Sequence, residues 1–312
     1  MRVVSLGSGS SGNALLIEAG PNGRTKILVD AGFSERVLRE RLRAMRVSLS
    51  QIQSILITHE HADHILGLAS IIERYATPVI ADPRTLAAIE QVFTAGILRS
   101  ESGALVSLDS NEGNDPTEPV LVGNMSNNHS VGNNSIELAV GTRCVLGDIE
   151  VVSFPVSHDA VAPCGYLLSA GGCRVCVVID SGEVTSTMLE AMNQADLLIL
   201  ESNHDRERLL RGPYPYSLKQ RILSSTGHLS NDQAAEAVLR TWRTDAVRWL
   251  WLSHLSRTNN TPKIAMNNMQ SRIQTAGANL AQIHISVLPH VMGGMWDSTQ
   301  LWKSPTLWEM QM

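Results

Sequence analysis

Residues 59–64 read HEHADH, three imidazoles and an aspartate within six residues. They stand at the end of the apolar run IQSILIT, which reads as a short buried strand. His59 and His61 are two apart, so on an extended chain both point the same way. Asp63 and His64 come where the chain turns into the next segment. Such a cluster is poor core material. Neutral imidazole and carboxylate are, however, the donors that suit zinc, manganese or iron. Four later positions repeat the pattern of a polar donor closing an apolar run. His158 ends VVSFPVSH, Asp180 ends CVVID, Glu201 follows LLIL and His254 follows WLWLS. In a layered α/β protein the strand ends on one side form a common rim where ligands bind. The sequence therefore points to one metal-binding rim rather than to separate solvated loops.

The rest of the chain supplies such layers. MRVVSL reads as a strand, and NALLIEAGPNGRTKILVDAG as a hairpin turning at Pro21–Asn22–Gly23. HILGLASIIERY has helical spacing of Ile65, Leu68, Ile71 and Tyr75, and PVIA is a strand. DPRTLAAIEQVF is a helix capped by Asp82 with Pro83 at its first position. From residue 109 to 134 the text turns polar and full of turn formers, which predicts a flexible insertion; His129 within it reads as solvated. Beyond it come a hairpin turning at Gly171–Gly172 and helix–strand alternation, including a capping box of Ser230 with Gln233. The last stretch, 293–312, is rich in tryptophan and has no clear period. Hairpins leading into helix–strand alternation predict an α/β fold with mixed sheets flanked by helices, not a doubly wound parallel sheet.

Gly7 to Gly12 read GSGSSG, the spacing of a dinucleotide fingerprint. That fingerprint works only between a strand and a helix whose N-terminus faces a pyrophosphate. Here a hairpin follows, so the dinucleotide reading is set aside. The glycines permit tight backbone turns, and Ser8, Ser10, Ser11 and Asn13 are candidates to hydrogen-bond a phosphate. With 312 residues, 43% hydrophobic, the chain can build one large domain or two small ones. Its formal charge of −5 provides no global field for nucleic acid, so an anionic partner needs a local patch. Arg206, Arg208, Arg211, Lys219 and Arg221, interleaved with Tyr214 and Tyr216, offer one: cations for phosphates and aromatic faces for unpaired bases. There are four cysteines, no apolar leader and no run long enough to span a bilayer, so a reducing cytoplasm is expected. Cys173 and Cys176 fall on opposite faces of one strand and read as buried thiols. His204 reads as a surface residue or a partner of the site, and His284 and His290 lie away in sequence from every donor block.

HEHADH resembles the H-x-H-x-D-H signature of the metallo-β-lactamase fold, and the order of His158, Asp180 and His254 resembles that fold's remaining ligands. The blocks SLGSGSSGNA, VSHDA, ESNHD, GPYPYSLKQRI, GHLSN and LSHLSRTNN resemble the WalJ/YycJ-type nucleases of that superfamily, regarded as 5′-to-3′ DNA exonucleases. The resemblance implies a four-layer αββα sandwich formed as a single domain over 1–312. It implies that His59, His61 and His158 hold one divalent metal, zinc or manganese with magnesium as a third candidate. Asp63, His64 and His254 would hold a second, with Asp180 bridging. Such a pair, about 3.5–4 Å apart, shares a hydroxide and suits phosphodiester cleavage. His61 stands where oxygen-reducing di-iron relatives carry glutamate, which argues against redox chemistry. Glu201 and His228 resemble the pair by which ribonuclease Z-like relatives move a proton near the leaving oxygen. Asp63, Glu201 and His228 are thus the catalytic candidates. The expected partner is nucleic acid, DNA with a single-stranded portion. The rivals are a hydrolase of a small ester, thioester or cyclic phosphodiester, an RNA-processing nuclease, and a binding module with a vestigial site.

Overall fold

The computed structural model describes residues 1–99, 105–107 and 134–302. Its first half runs β1 (Arg2–Gly7), β2 (Ala14–Ala19), β3 (Thr25–Val29), α1 (Glu35–Ala44), β4 (Ser54–Leu56), α2 (Ala62–Ile65), α3 (Leu68–Tyr75), β5 (Val79–Ala81), α4 (Pro83–Ala95), β6 (Ile97–Arg99), β7 (Leu105–Ser107) and β8 (Ser135–Glu137). The second half runs β9 (Arg143–Leu146), β10 (Ile149–Pro155), β11 (Cys164–Ala170), β12 (Cys173–Val178), α5 (Ser186–Asn193), β13 (Leu197–Glu201), α6 (Arg206–Arg211), α7 (Tyr216–Leu223), α8 (Asn231–Arg240), β14 (Arg248–Ser253), α9 (Pro262–Thr275), β15 (Ile283–Val287) and β16 (Met295–Asp297). Two seven-stranded sheets result, ordered β16-β1-β2-β3-β4-β5-β8 and β15-β14-β13-β12-β11-β10-β9. Both are mixed. β1, β2 and β3 pair antiparallel, β3, β4 and β5 parallel; β10, β11 and β12 pair antiparallel, β12 to β15 parallel.

Period-two alternation explains the layering. In β13, Leu197 and Ile199 face the other sheet, whereas Leu198 and Leu200 face α5, α8 and α9. In β2, Leu15 and Ile17 join the layer between the sheets, while Leu16 turns towards α1, α3 and α4. Apolar residues fill both faces of each central strand, so each sheet must be covered twice. Three apolar layers between four layers of structure make the expected αββα sandwich. Cys173 and Cys176 indeed point to different layers, and all four cysteines are free thiols.

Two local expectations change. The helix expected over HILGLASIIERY is two pieces, α2 and α3, because the Gly67 amide leaves the helical ladder to donate to the Ala31 carbonyl. The C-terminal stretch is partly integrated: β16 adds to the edge of β1 and buries Trp296 completely. The insertion at 109–134 falls, apart from Asn134, outside the described residues, as do His129 and residues 303–312. No described helix is long and apolar enough to cross a membrane.

The orientations place the site. β3 and β4 run parallel, as do β12, β13 and β14, and β10 runs with β12 because two antiparallel steps separate them. Their C-terminal ends carry Asp30, the HEHADH turn, His158, Asp180, Glu201 and His254.

Candidate metal centre

The first sheet contributes one continuous stretch. His59 closes the turn after β4, His61 takes an extended backbone as the N-cap of α2, and Asp63 and His64 lie in the first turn of that helix. Asp30, just after β3, fixes the ring of His64. Its carboxylate accepts from Thr58 N at 2.9 Å and from His64 Nδ1 at 2.8 Å. Nε2 of His64 then faces Asp180 Oδ2 at 2.7 Å and Asp63 Oδ2 at 3.4 Å. A carboxylate behind an imidazole sets its tautomer and orientation. Asp30 is a functional residue that the sequence reading misses, though ILVDAG shows the same signal, a carboxylate closing an apolar run.

The second sheet contributes one residue per strand end. His158 donates from Nδ1 to the Gly227 carbonyl at 3.0 Å, which brings its Nε2 to 3.2 Å from His61 Nδ1. Asp180 and His254 leave β12 and β14 with φ of 59° and 53°. A non-glycine residue in this left-handed region costs on the order of 1–3 kcal/mol. The reversal aims both side chains into the rim. Asp180 Oδ2 lies 3.5 Å from His59 Nε2, and its Oδ1 lies 2.7 Å from His254 Nδ1. Asp180 therefore touches both groups. Donor atoms of His59, His61 and His158 lie within 4.8 Å of one another, and so do those of Asp63, His64, Asp180 and His254. A third, overlapping set joins Asp180, Glu201, His228 and His254.

All seven of the residues read as metal donors are buried. Burial holds His59 well below the usual imidazole range, with the neighbouring His64, His61 and His158 adding to the effect. Burial also lowers His61 and His158. These rings are neutral, the form a cation binds. Burial disfavours a charge on His64 too, but the Asp30, Asp63 and Asp180 carboxylates outweigh it and hold the ring protonated. Burial likewise opposes ionisation of Asp63 and Asp180, yet the surrounding imidazoles keep both carboxylates below their ordinary range. His59 Nε2 and Asp63 Oδ1 are buried and have no hydrogen-bond partner among the described residues. A buried polar atom left unpaired costs about 1–3 kcal/mol. Neutral imidazoles packed edge to face, buried carboxylates and orphaned donor atoms together fit divalent cations. Binding would displace the proton on His64.

Glu201 and His228 meet beside this cluster. His228 Nδ1 donates to Glu201 Oε1 at 2.7 Å. The other carboxylate oxygen accepts from Ser181 N and Leu229 N at 2.9 and 3.2 Å. Burial alone would raise the Glu201 carboxyl, but His228 and His254 bring it below the usual carboxylate range. The ring of His228 is thus held by a fixed, ionised carboxylate, between His158 and His254 at centroid distances of 5.1 and 5.5 Å. His204, with a surface role as one expectation, is instead buried, and burial pushes its imidazole down to about 4. Its place behind the β13 end is set by the Asn231 amide, which donates to the His204 carbonyl.

The glycine loop joins β1 to β2, with no helix after it. Ser8 and Asn13 are buried, Ser11 is half-buried and Ser10 is exposed. Asn13 accepts from Gly9 N at 2.9 Å and donates from Nδ2 towards Asp63 Oδ2 at 3.2 Å. Ser8 Oγ accepts from His254 N at 2.8 Å. Both side chains are occupied in holding the loop against the cluster. His290, distant in sequence, packs on the loop and donates to the Ser8 carbonyl at 3.0 Å. His284 packs against Trp249 at a centroid distance of 4.8 Å, away from the rim.

The basic segment forms α6 and α7. Arg208 is exposed and donates to the Thr258 carbonyl at 3.4 Å. Arg211 is exposed and paired with Glu207 at 2.5 Å, and Tyr214 is half-buried. Lys219 Nζ donates to the carbonyls of Leu210 and Gly212 at 2.8 and 2.7 Å, closing the end of α6. Arg221 pairs through two nitrogens with Asp159, at 2.5 and 3.1 Å.

A profile of the beta-lactamase superfamily domain matches residues 25–248. The chain is 32% identical over 277 residues to a protein named exodeoxyribonuclease YycJ of Bacillus anthracis, covering 89% of this chain and 90% of that one. It is 34% identical over 271 residues to one named exodeoxyribonuclease WalJ of Streptococcus pneumoniae, covering 87% of each. Among solved structures it resembles the metallo-beta-lactamase fold protein YhfI of Bacillus subtilis, with a TM-score of 0.61 at 17% identity over 95% of this chain and 99% of that one.

Proposed function

The chain belongs to the beta-lactamase superfamily, and on that footing we propose that it is a two-metal phosphodiesterase that degrades DNA from a 5′ end. The observation that supports this best is the meeting of seven metal-binding side chains with the buried Glu201–His228 pair at one rim. His59, His61 and His158 would hold one divalent ion, Asp63, His64 and His254 the other, with Asp180 between them. Two such ions supply Lewis-acid polarisation of the phosphate and a nucleophile at neutral pH.

The side chains do the rest. Asp30 and Thr58 hold the ring of His64 from behind, and Gly227 holds that of His158, so the donors are oriented before any ion arrives. Glu201 takes the Nδ1 proton of His228 in a hydrogen bond and so aims Nε2 away from itself. From there a protonated imidazole can give a proton to the departing sugar oxygen as the bond to phosphorus breaks. Ser10 and Ser11 are the residues of the glycine loop that stay at least partly exposed. A hydrolase of small esters has no need of an exposed cation near the rim, and Arg208, whose guanidinium donates to the Thr258 carbonyl four residues after His254, offers one. The exodeoxyribonuclease names of the relatives favour DNA over RNA.

Turnover tests the reading. Single-stranded DNA labelled at either end, incubated with manganese, zinc or magnesium, should release label from the 5′ end first as mononucleotides or short products. Release from the 3′ end first would reverse the polarity. Intact DNA beside cleaved RNA would favour the RNA-processing alternative.

A further inference from the structure

The glycine loop is fastened on three sides, by Ser8 to the backbone of His254, by Asn13 to Asp63 and by the ring of His290. Gly9 is part of this fit, since a Cβ there would lie 2.3 Å from His290 Nδ1. What the fastening leaves at the surface is Ser10 and Ser11. Ser11 Oγ accepts from Arg257 Nη2 at 3.0 Å. Arg257 is exposed and lies three residues after His254, on the loop between β14 and α9. No carboxylate among the described residues comes within ion-pair distance of it. The next residue, Thr258, offers the carbonyl that accepts from Arg208. The guanidinium of Arg208 likewise has no carboxylate within ion-pair distance among the described residues; Asp205 bonds only its backbone amide. Consecutive Cα atoms are about 3.8 Å apart, so the anchor of Arg208 sits directly beside Arg257. Two guanidinium groups thus rest on one short loop, each held by a neutral oxygen. The same loop begins at a residue of the metal cluster.

We propose that Ser11 and Arg257 form a subsite for a phosphate next to the one being cleaved, and that Arg208 receives the strand beyond it. A guanidinium bound only to neutral oxygens keeps its charge available, and its fork matches two phosphate oxygens. The Ser11 hydroxyl both accepts and donates, so it can keep its bond from Arg257 while turning its proton to the same phosphate. The fastening of the loop matters because a preset site has less order to gain on binding. Arg257 lies outside the sequence run of basic residues, and only the fold brings it to the glycine loop.

The inference rests on the nuclease reading, and the test separates the two. Steady-state cleavage is measured for the wild type, Arg257→Ala and Arg257→Lys on single-stranded DNA with a 5′-phosphate, on the same DNA with a 5′-hydroxyl, and on bis-p-nitrophenyl phosphate. Losing a charge-assisted hydrogen bond to phosphate should raise KM for DNA by on the order of 10- to 100-fold in Arg257→Ala. The loss on the small diester, which has no neighbouring phosphate, should be far smaller. Arg257→Lys should recover part of the loss, because it keeps the charge without the fork. A penalty confined to 5′-phosphorylated DNA identifies the terminal phosphate as occupant, and an equal penalty on 5′-hydroxyl DNA identifies an internal one. An unchanged KM for DNA, or equal loss on DNA and the small diester, overturns the subsite while leaving the nuclease reading intact. A wild type that cleaves the small diester but no DNA removes both.

Discussion

The two sheets contribute to the rim in opposite ways. The first delivers His59, His61, Asp63 and His64 from one turn of six residues, oriented by Asp30 on the neighbouring strand. The second delivers His158, Asp180, Glu201 and His254 from four different strand ends, spread over residues 158–254. A local half tolerates little rearrangement, because one backbone path positions every donor. A dispersed half depends on the parallel register of β12, β13 and β14 and on loops that cross between them. In both halves a non-glycine left-handed residue turns the chain into the site: Asp30 on one side, Asp180 and His254 on the other.

Steric changes can break each half separately. Gly32 leaves no room for a side chain, since a Cβ there would lie 1.7 Å from the Asp63 carbonyl oxygen and 2.6 Å from Asn13 N. Gly32→Ala should displace α2, lose bound metal and abolish turnover, read by elemental analysis beside activity. In the dispersed half, His228→Ala should slow cleavage of DNA by about two to four orders of magnitude with metal content kept. Much of that loss should return on bis-p-nitrophenyl phosphate, whose leaving group needs no proton. Equal losses on both substrates, with metal retained, would make His228 a structural residue only.

A milder lesion sharpens the comparison further. A Cβ on Gly182 would meet Gly227 N and the Ser225 carbonyl oxygen at 2.4 Å each. Gly182→Ala should push the loop before His228 outward and lower kcat by about 10²-fold, the scale of a misplacement of about 1 Å. Metal content should fall less than in Gly32→Ala, because the displaced loop holds only one of the donors, His158, through the Gly227 carbonyl. If both glycine variants lost metal equally, the two halves would not be separable.

The smallest effects concern α6 and α7. Arg208→Ala should flatten the dependence of log affinity for single-stranded DNA on log salt by about one unit, as for one lost phosphate contact. Lys219→Ala should flatten it less, because the Lys219 ammonium already binds two carbonyls. Arg211, paired with Glu207, should fall between. Slopes unchanged from the wild type in all three variants would mean that the segment does not touch the strand.

The same division governs how much could be read before folding. HEHADH is legible because its donors are neighbours in sequence, and the layered fold follows from apolar runs whose alternate residues face different layers. Asp82 and Ser230 are legible caps because a cap is a local device, and both accept hydrogen bonds from their helices. What stayed hidden depends on long-range contact. His290 reaches Ser8 across most of the chain, and Arg257 reaches Ser11 from the opposite sheet. Trp296 enters the core only because β16 pairs with β1. The break between α2 and α3 comes from a carbonyl of Ala31, which no periodicity within the helix reveals.

The central claim is that the two halves close around a pair of divalent ions. Elemental analysis of chain purified without chelator tests it most directly, with activity measured before and after chelation. The wild type should carry about two ions per chain, as befits a two-metal site. His61→Ala and Asp63→Ala should each carry fewer, with the fold kept, and chelation should remove turnover until metal is restored. A metal-free chain that cleaves DNA at the full rate would contradict the account.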